Sequence, residues 1–185
     1  MASLGAKVLH SRCVEIAKKY GVELLVCSSL NRNSGTMVRE KTKMEKMLIS
    51  GVAADKNVAK IRVAGLGNDP ESTFRLLNLL DRNNLNIDVM IQSLGKDGTK
   101  SVSFTVAKPD MLRTIDVLND NKDSLGIKKL DYDENVAKIS VIGAGVRSHS
   151  GVAAKMFGAL ANAGINTEMI TTSEIRITAL IDESY

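Results

Sequence analysis

The sequence predicts an α+β chain in which one strand–helix–strand–strand unit is used twice, after a short helix–strand piece of a different kind. Three observations carry this. The run Asn57-Val58-Ala59-Lys60-Ile61-Arg62-Val63-Ala64-Gly65 recurs as Asn135-Val136-Ala137-Lys138-Ile139-Ser140-Val141-Ile142-Gly143. Each copy ends in a Gly-x-Gly turn, Gly65 with Gly67 and Gly143 with Gly145. Behind each turn the apolar residues take up helical spacing, and two further strand patterns follow.

From the N-terminus, residues 4–20 have helical periodicity through Val8, Val14, Ile16 and Ala17, with Gly21 as a C-terminal stop. Residues 22–27 form an apolar strand pattern, Asn31 to Gly35 a polar turn and 39–46 a connector. One helix and one strand cannot bury their own faces, so residues 1–45 read as the end of a larger α/β domain with its linker.

In the first copy the helix has Phe74, Leu76, Leu77, Leu79 and Leu80 as its apolar face. Strand patterns follow at Leu85 to Ile91 and Ser101 to Val106. Pro109 opens a second helix with Met111, Leu112, Ile115, Val117 and Leu118, and residues 128–132 read as a short fourth strand. That completes βαββαβ, the ferredoxin-like unit. The second copy has its helix on Val152, Met156, Phe157, Leu160 and Ala161, then strands at 165–170 and 174–181. It stops at Tyr185, before a second helix or fourth strand, so it is expected to be incomplete at its C-terminus. An uncovered sheet edge is a liability, and residues 48–54 are the spare strand to fill it. The expected division is 1–45, 46–134 for the first unit and 135–185 for the second.

Composition excludes several classes. Hydrophobic residues make up 44% of 185, enough for a packed core, and no apolar run approaches the roughly 18 residues of a membrane span. The first residues lack the basic and apolar regions of a signal peptide. Cys13 and Cys27 form no CxxC pair, and His10 and His149 are far apart, which argues against zinc. The thiols are expected to be buried, in a reducing cytoplasm. The net charge of +4 is spread along the chain and aromatics are only 3%. No nucleic-acid partner is therefore expected, even though RNA-recognition modules share this topology. They need aromatics on the central strands, and only Phe104 stands on strand three.

The Gly-x-Gly turns sit where phosphate loops occur, but Pro70 and Ser148 occupy the place of the third glycine of a dinucleotide fingerprint, and no Walker lysine follows. They serve either as plain turns or as helix starts whose N–H groups bind a carboxylate. Asn86, Asp88 and Gln92 fall at even spacing, with Ile87, Val89 and Ile91 between them facing a core. Such a face suits a zwitterion, with Asp88 for the ammonium and Gln92 as donor and acceptor; the alternative is a solvated sheet face. Asn166 and Glu168 repeat the pattern. His149 reads as a loop histidine, and no catalytic constellation is present.

The run Gly5-Ala6-Lys7-Val8-Leu9-His10-Ser11-Arg12-Cys13-Val14-Glu15, with Ser28-Ser29 and Gly35-Thr36, resembles the end of the aspartokinase catalytic domain. Ile49-Ser50-Gly51-Val52-Ala53-Ala54-Asp55-Lys56, Asn86 to Gln92, Ser148 to Ala153 and Thr172 to Ile177 resemble that family's regulatory region. The resemblance implies two ACT domains that bind lysine, threonine or both as feedback inhibitors. The complete enzyme would use ATP and Mg to phosphorylate aspartate; no cofactor is expected in this chain. It implies effector contacts at Asn68, Asp69, Pro70, Glu71, Ser72, Thr73, Asn86, Ile87, Asp88 and Gln92. In the second copy it implies Val152, Ala153, Asn166, Thr167, Ser173 and Glu174, and it makes Lys7 nucleotide-proximal. It also implies a homodimer, a catalytic domain or subunit as partner, and either a C-terminal fragment or a separate regulatory subunit started at Met44. The sequence departs from the family at Asn68-Asp69-Pro70-Glu71, where Asp-x-Pro-Gly is usual, and at His149-Ser150-Gly151, where His-Pro-Gly is usual. Ala153 replaces a threonine of some members, and Ser11 stands in the family's Leu-His-Pro-Arg. An independent amino-acid-binding ACT module is the alternative, but it gives no reason for residues 1–38.

Overall fold

The computed structural model describes residues 8–31, 33–39, 49–143, 146 and 151–185. Lys7, Met44, Gly145 and the Ser148-His149-Ser150 run lie outside them. Helix α1 (Ser11–Lys19) leaves out Val8 of the expected helical stretch, because His10 caps it: Nδ1 accepts the Arg12 N–H at 3.3 Å. Strand β1 (Leu24–Val26) pairs antiparallel with β2 (Thr36–Val38), a strand that the periodicity did not single out. Ile16, Val22, Leu25, Leu30 and Met37 stay exposed on this piece. Cys13 and Cys27 are exposed too, against the expectation of buried thiols. A helix and a two-stranded ribbon are too little chain to cover them.

The first repeat is built from β4 (Ala59–Leu66), α2 (Pro70–Arg82), β5 (Met90–Leu94) and β6 (Lys100–Val106). A 3-10 turn (Lys108–Asp110) then leads into α3 (Met111–Asp120), α4 (Lys122–Leu125) and β7 (Lys129–Asp133). Its sheet runs β5-β6-β4-β7, antiparallel throughout. Ala59, Ile61 and Val63 alternate into one face, where they meet Val102 and Phe104 and are covered by Leu76, Leu80, Met111 and Leu118 from the helices. The alternation is the strand period and the helix contacts fall four residues apart. Phe74 and Leu112, expected on the apolar faces, are 64% and 68% exposed. Helix α2 buries Ser72, Leu76 and Leu80, and Phe74 stands two residues off that line. Gly65 breaks the register of β4 between Ala64 and Leu66 at φ +89°, and a Cβ there would come within 2.5 Å of the Lys128 side chain. Both the dihedral and the close approach require glycine.

The second repeat contributes β8 (Val136–Ile142), α5 (Gly151–Asn162), β9 (Met169–Thr172) and β10 (Arg176–Asp182). Its fourth strand is β3 (Gly51–Asp55), which precedes the first repeat in sequence and pairs antiparallel with β8, giving the order β3-β8-β10-β9. This is the same spatial order as in the first sheet. Val152, Met156 and Leu160 of α5 pack on Ala137, Val141, Ile177, Ala179 and Ile181, while Ala161 turns out to be exposed.

The chain crosses between the two sheets twice, from β3 to β4 and from β7 to β8, by the same device. Asp55 accepts the Asn57 N–H at 3.0 Å and Asp133 accepts the Asn135 N–H at 2.9 Å, two Asx turns. A small third core then ties the repeats together: Val58, Val89, Val136, Met169 and Leu180, with Ile91 against them. Val58 matches Val136 and Val89 matches Met169 in the repeat, so the junction is close to two-fold symmetric. Among the described residues no helix is long and apolar enough to cross a membrane.

Candidate functional site

The turn before α2 is held by its own side chains. Asp69 is the N-cap: it accepts the Ser72 N–H at 2.8 Å and the Ser72 hydroxyl, with Pro70 in the first turn. The Ser72 hydroxyl, outweighing slight burial, holds the Asp69 carboxyl below the ordinary aspartate range. Lys100 Nζ donates to the Asp69 carbonyl at 2.7 Å, and Arg75 lies 3.8 Å from its carboxylate. The positive end of a 13-residue helix is thus flanked by two cations. Asn68 and Glu71 stand exposed on its rim. The Thr73 hydroxyl donates to Gln92 Oε1 at 2.7 Å, which joins the turn to β5. Gln92 registers opposite Val102, so it lies on the helix-covered face. Because β5 is an edge strand, one side of its main chain is open.

Asp88 is not on that face. The Asp88 N–H donates to the Thr105 carbonyl at 3.2 Å, while the Thr105 N–H donates to the Val89 carbonyl at 2.9 Å. Two residues face one, a bulge, and Thr105 Oγ1 also accepts the Val89 N–H at 3.1 Å. The regular ladder begins only at Met90, five residues later than the periodicity suggested. The even spacing of Asn86, Asp88 and Gln92 therefore does not put them on one face. Asn86, Ile87 and Asp88 line a cleft of about 280 Å³ with Asp55, Asn57, Asp110 and Lys138.

In the second repeat, Val152 is buried and Ala153 half-buried within the core beneath α5. Asn166 is exposed and Thr167 half-buried in the lead-in to β9. Ser173 closes the β9–β10 turn, its N–H donating to the Arg176 carbonyl at 2.8 Å and its hydroxyl accepting the Arg176 N–H at 3.2 Å; Glu174 is exposed on that turn.

Three cations that the sequence reading passed over organise the junction. Lys138 Nζ donates to Asp88 and lies 3.7 Å from Asp55, with its side chain only 8% exposed. Arg176 lies 3.7 Å from the other Asp88 oxygen. In the other direction Lys60 donates to Glu168. Lys60 and Lys138 are matched positions of the repeat, as are Asp88 and Glu168, so each repeat gives its strand-one lysine to the other's strand-two acid. The signal was present as a lysine at the same place in both copies of the repeated strand. Among the described residues no cluster of side chains could hold a metal ion.

The ACT domain family matches residues 139–185. The whole chain is 39% identical to an aspartokinase of Pseudomonas aeruginosa, of which it spans 46%; it is thus about half the length of the curated relatives it matches. A crystal structure of aspartokinase alpha and beta subunits superposes with a TM-score of 0.69 at 43% identity, covering 74% of this chain and 90% of that one. Aspartokinase III of E. coli, crystallised with lysine and aspartate in its T-state, superposes over the whole chain and 41% of its own, with a TM-score of 0.75 at 25% identity. The repeat, the strand order of both sheets and these matches agree, and the chain belongs to the aspartokinase family, within its ACT-bearing regulatory region.

Proposed function

We propose that this chain senses an amino-acid end product on behalf of an aspartate kinase. The complete enzyme would transfer the γ-phosphate of ATP, with Mg, to the β-carboxylate of aspartate, and this part would set its activity by binding lysine, threonine or both. The observation that carries the reading is the Thr73–Gln92 hydrogen bond. It fastens a helix N-terminus flanked by Lys100 and Arg75 to an edge strand with open main chain. A ligand carboxylate suits the helix end and its cations, the backbone of an amino acid suits the edge of β5, and Asp88, turned by the bulge into the neighbouring cleft and paired there with Lys138 and Arg176, is the acid that an ammonium would reach by displacing one of them. Asn166 and Thr167 before β9 and Ser173 and Glu174 after it flank the matching strand of the second repeat and would complete a site against a second copy. The E. coli relative crystallised with lysine lends support. A homodimer fits this reading, since an effector held between two chains changes their arrangement.

An independent amino-acid-binding module is the competing reading. Residues 8–39 speak against it, because their helix and two-stranded ribbon leave apolar side chains that such a module has no use for. Calorimetric titration with L-lysine and L-threonine, separately and together, tests the proposal. Saturable binding of either supports it, and silence from both refutes it. The chain alone is expected to show no aspartate-dependent ATP turnover; turnover above a no-protein control would mean that the catalytic machinery has been misassigned.

A further inference from the structure

We infer that Lys138 acts as a gate on Asp88, standing in for the ligand's ammonium and passing to Asp55 when that ammonium arrives; this rests on the effector reading above. Asp88, the acid offered to the ligand, is already neutralised by Lys138 and Arg176. A cationic group reaching Asp88 must therefore displace a cation or share the acid with it. Displacing a nearly buried ammonium is costly unless another acid receives it. The second acceptor is in place, since Asp55 lies 3.7 Å from the same Nζ, and its side chain is only 17% exposed. Asp55 and Lys138 are direct partners in the β3–β8 register, so the transfer needs no movement of strands.

The handover has a direction. Asp55 ends β3 and forms the Asx turn that carries the chain into the first repeat, while the other end of β3 leads back to the N-terminal piece. Moving one positive charge from Asp88 to Asp55 strips a cross-repeat ion pair and strengthens one within the second sheet. Ligand occupancy is thereby transmitted to the strand nearest in sequence to the N-terminal segment. Lys138 is in this sense a positioning residue, acting on the ligand through Asp88.

The test is calorimetry on the 185-residue chain with L-lysine and L-threonine as probes. Asp55→Asn removes the receiving acid, so affinity for the bound amino acid should fall about threefold to tenfold. Lys138→Gln leaves Asp88 with Arg176 alone, so affinity should rise by a similar factor, and Lys138→Arg should restore the unsubstituted value. A purely structural role predicts lower melting temperatures with affinities unchanged within twofold, and that result overturns the gate while leaving the effector reading intact. A loss of affinity in Lys138→Gln also overturns it, since Lys138 would then support the site instead of competing for it. If Lys138→Gln does not fold, Asp55→Asn decides alone. Absence of binding of either amino acid to the unsubstituted chain refutes the effector reading, and the gate falls with it.

Discussion

The two repeats share a strand order and differ in how they obtain it. The first draws all four strands from one continuous stretch and carries α2, α3 and α4 against its sheet. The second takes β8, β10 and β9 from the C-terminal stretch and borrows β3 from before the first repeat. The first is therefore inserted, in sequence, into the second. The buried cores reflect this. Leu76 and Leu80 of α2 are 0% and 1% exposed, while the matching Met156 and Leu160 of α5 are 9% and 8%. The first sheet is covered by three helices and the second, among the described residues, by α5 alone, so the second core has fewer side chains to close it. The pairing of β3 with β8 across the whole first repeat also carries more loop-closure entropy.

The sharpest way to break the comparison is to remove the borrowed strand. A chain beginning at Lys56 should keep the first repeat folded and lose cooperative unfolding of the second. Amide protection should collapse in β8 and β10 and persist in β4 and β6. Equal loss in both sheets would show that the repeats fold as one unit despite their separate cores.

A smaller effect distinguishes the cores themselves. Leu80→Ala and Leu160→Ala remove the same side chain from matched positions. Each should cost within the range of about 2–5 kcal/mol seen for such truncations, with Leu80→Ala the more destabilising because its site is the better enclosed. Denaturant titration of both variants gives the difference, and the reverse order would contradict the packing argument.

The start of α2 is sensitive to acid. The Asp69 carboxyl is held low in the folded chain, chiefly by the Ser72 hydroxyl. The unfolded chain then binds the proton more readily, so this contribution is complete above the ordinary aspartate value of 3.8 and is lost as pH falls through the lower folded value. Asn also caps well, so Asp69→Asn should leave stability near neutrality little changed and flatten the acid limb of the melting-temperature profile. An unchanged acid limb would remove Asp69 from the account.

The smallest expected effect is at the exchanged lysines. Lys60 and Glu168 have side chains 25% and 31% exposed, so a double-mutant cycle with Lys60→Gln and Glu168→Gln should give a coupling of about 0.5–1 kcal/mol. The nearly buried Lys138 with Asp88 should couple more strongly. Equal couplings would mean that burial does not separate the two halves of the junction.

Sequence alone carried the repeat and the strand–helix–strand–strand order of each copy. Both depend on neighbours within a few residues: alternation for strands, four-residue spacing for helices. It also carried β3 as a spare strand, because an apolar run next to an unfilled sheet edge has few other uses. The exposed Phe74 and Leu112 escaped it, since an apolar residue at the margin of a stripe is decided by what stands opposite. Asp88 escaped it for a sharper reason. Its facing follows from one bulge against Thr105, which cancels the period-two rule without leaving a mark in composition.

What the amino-acid order determined about this protein is therefore the local period of every core element and the chemical types gathered at its candidate site. Tertiary structure alone decided which repeat receives β3, which way Asp88 points, and that Lys60 and Lys138 reach across to the other repeat's acid. The first and last of those outcomes depend on pairings between residues from 50 to more than 100 positions apart. Such pairings are fixed by the cost of leaving an edge strand or a buried charge unpaired in the folded chain, a cost that exists only once the two sheets have met.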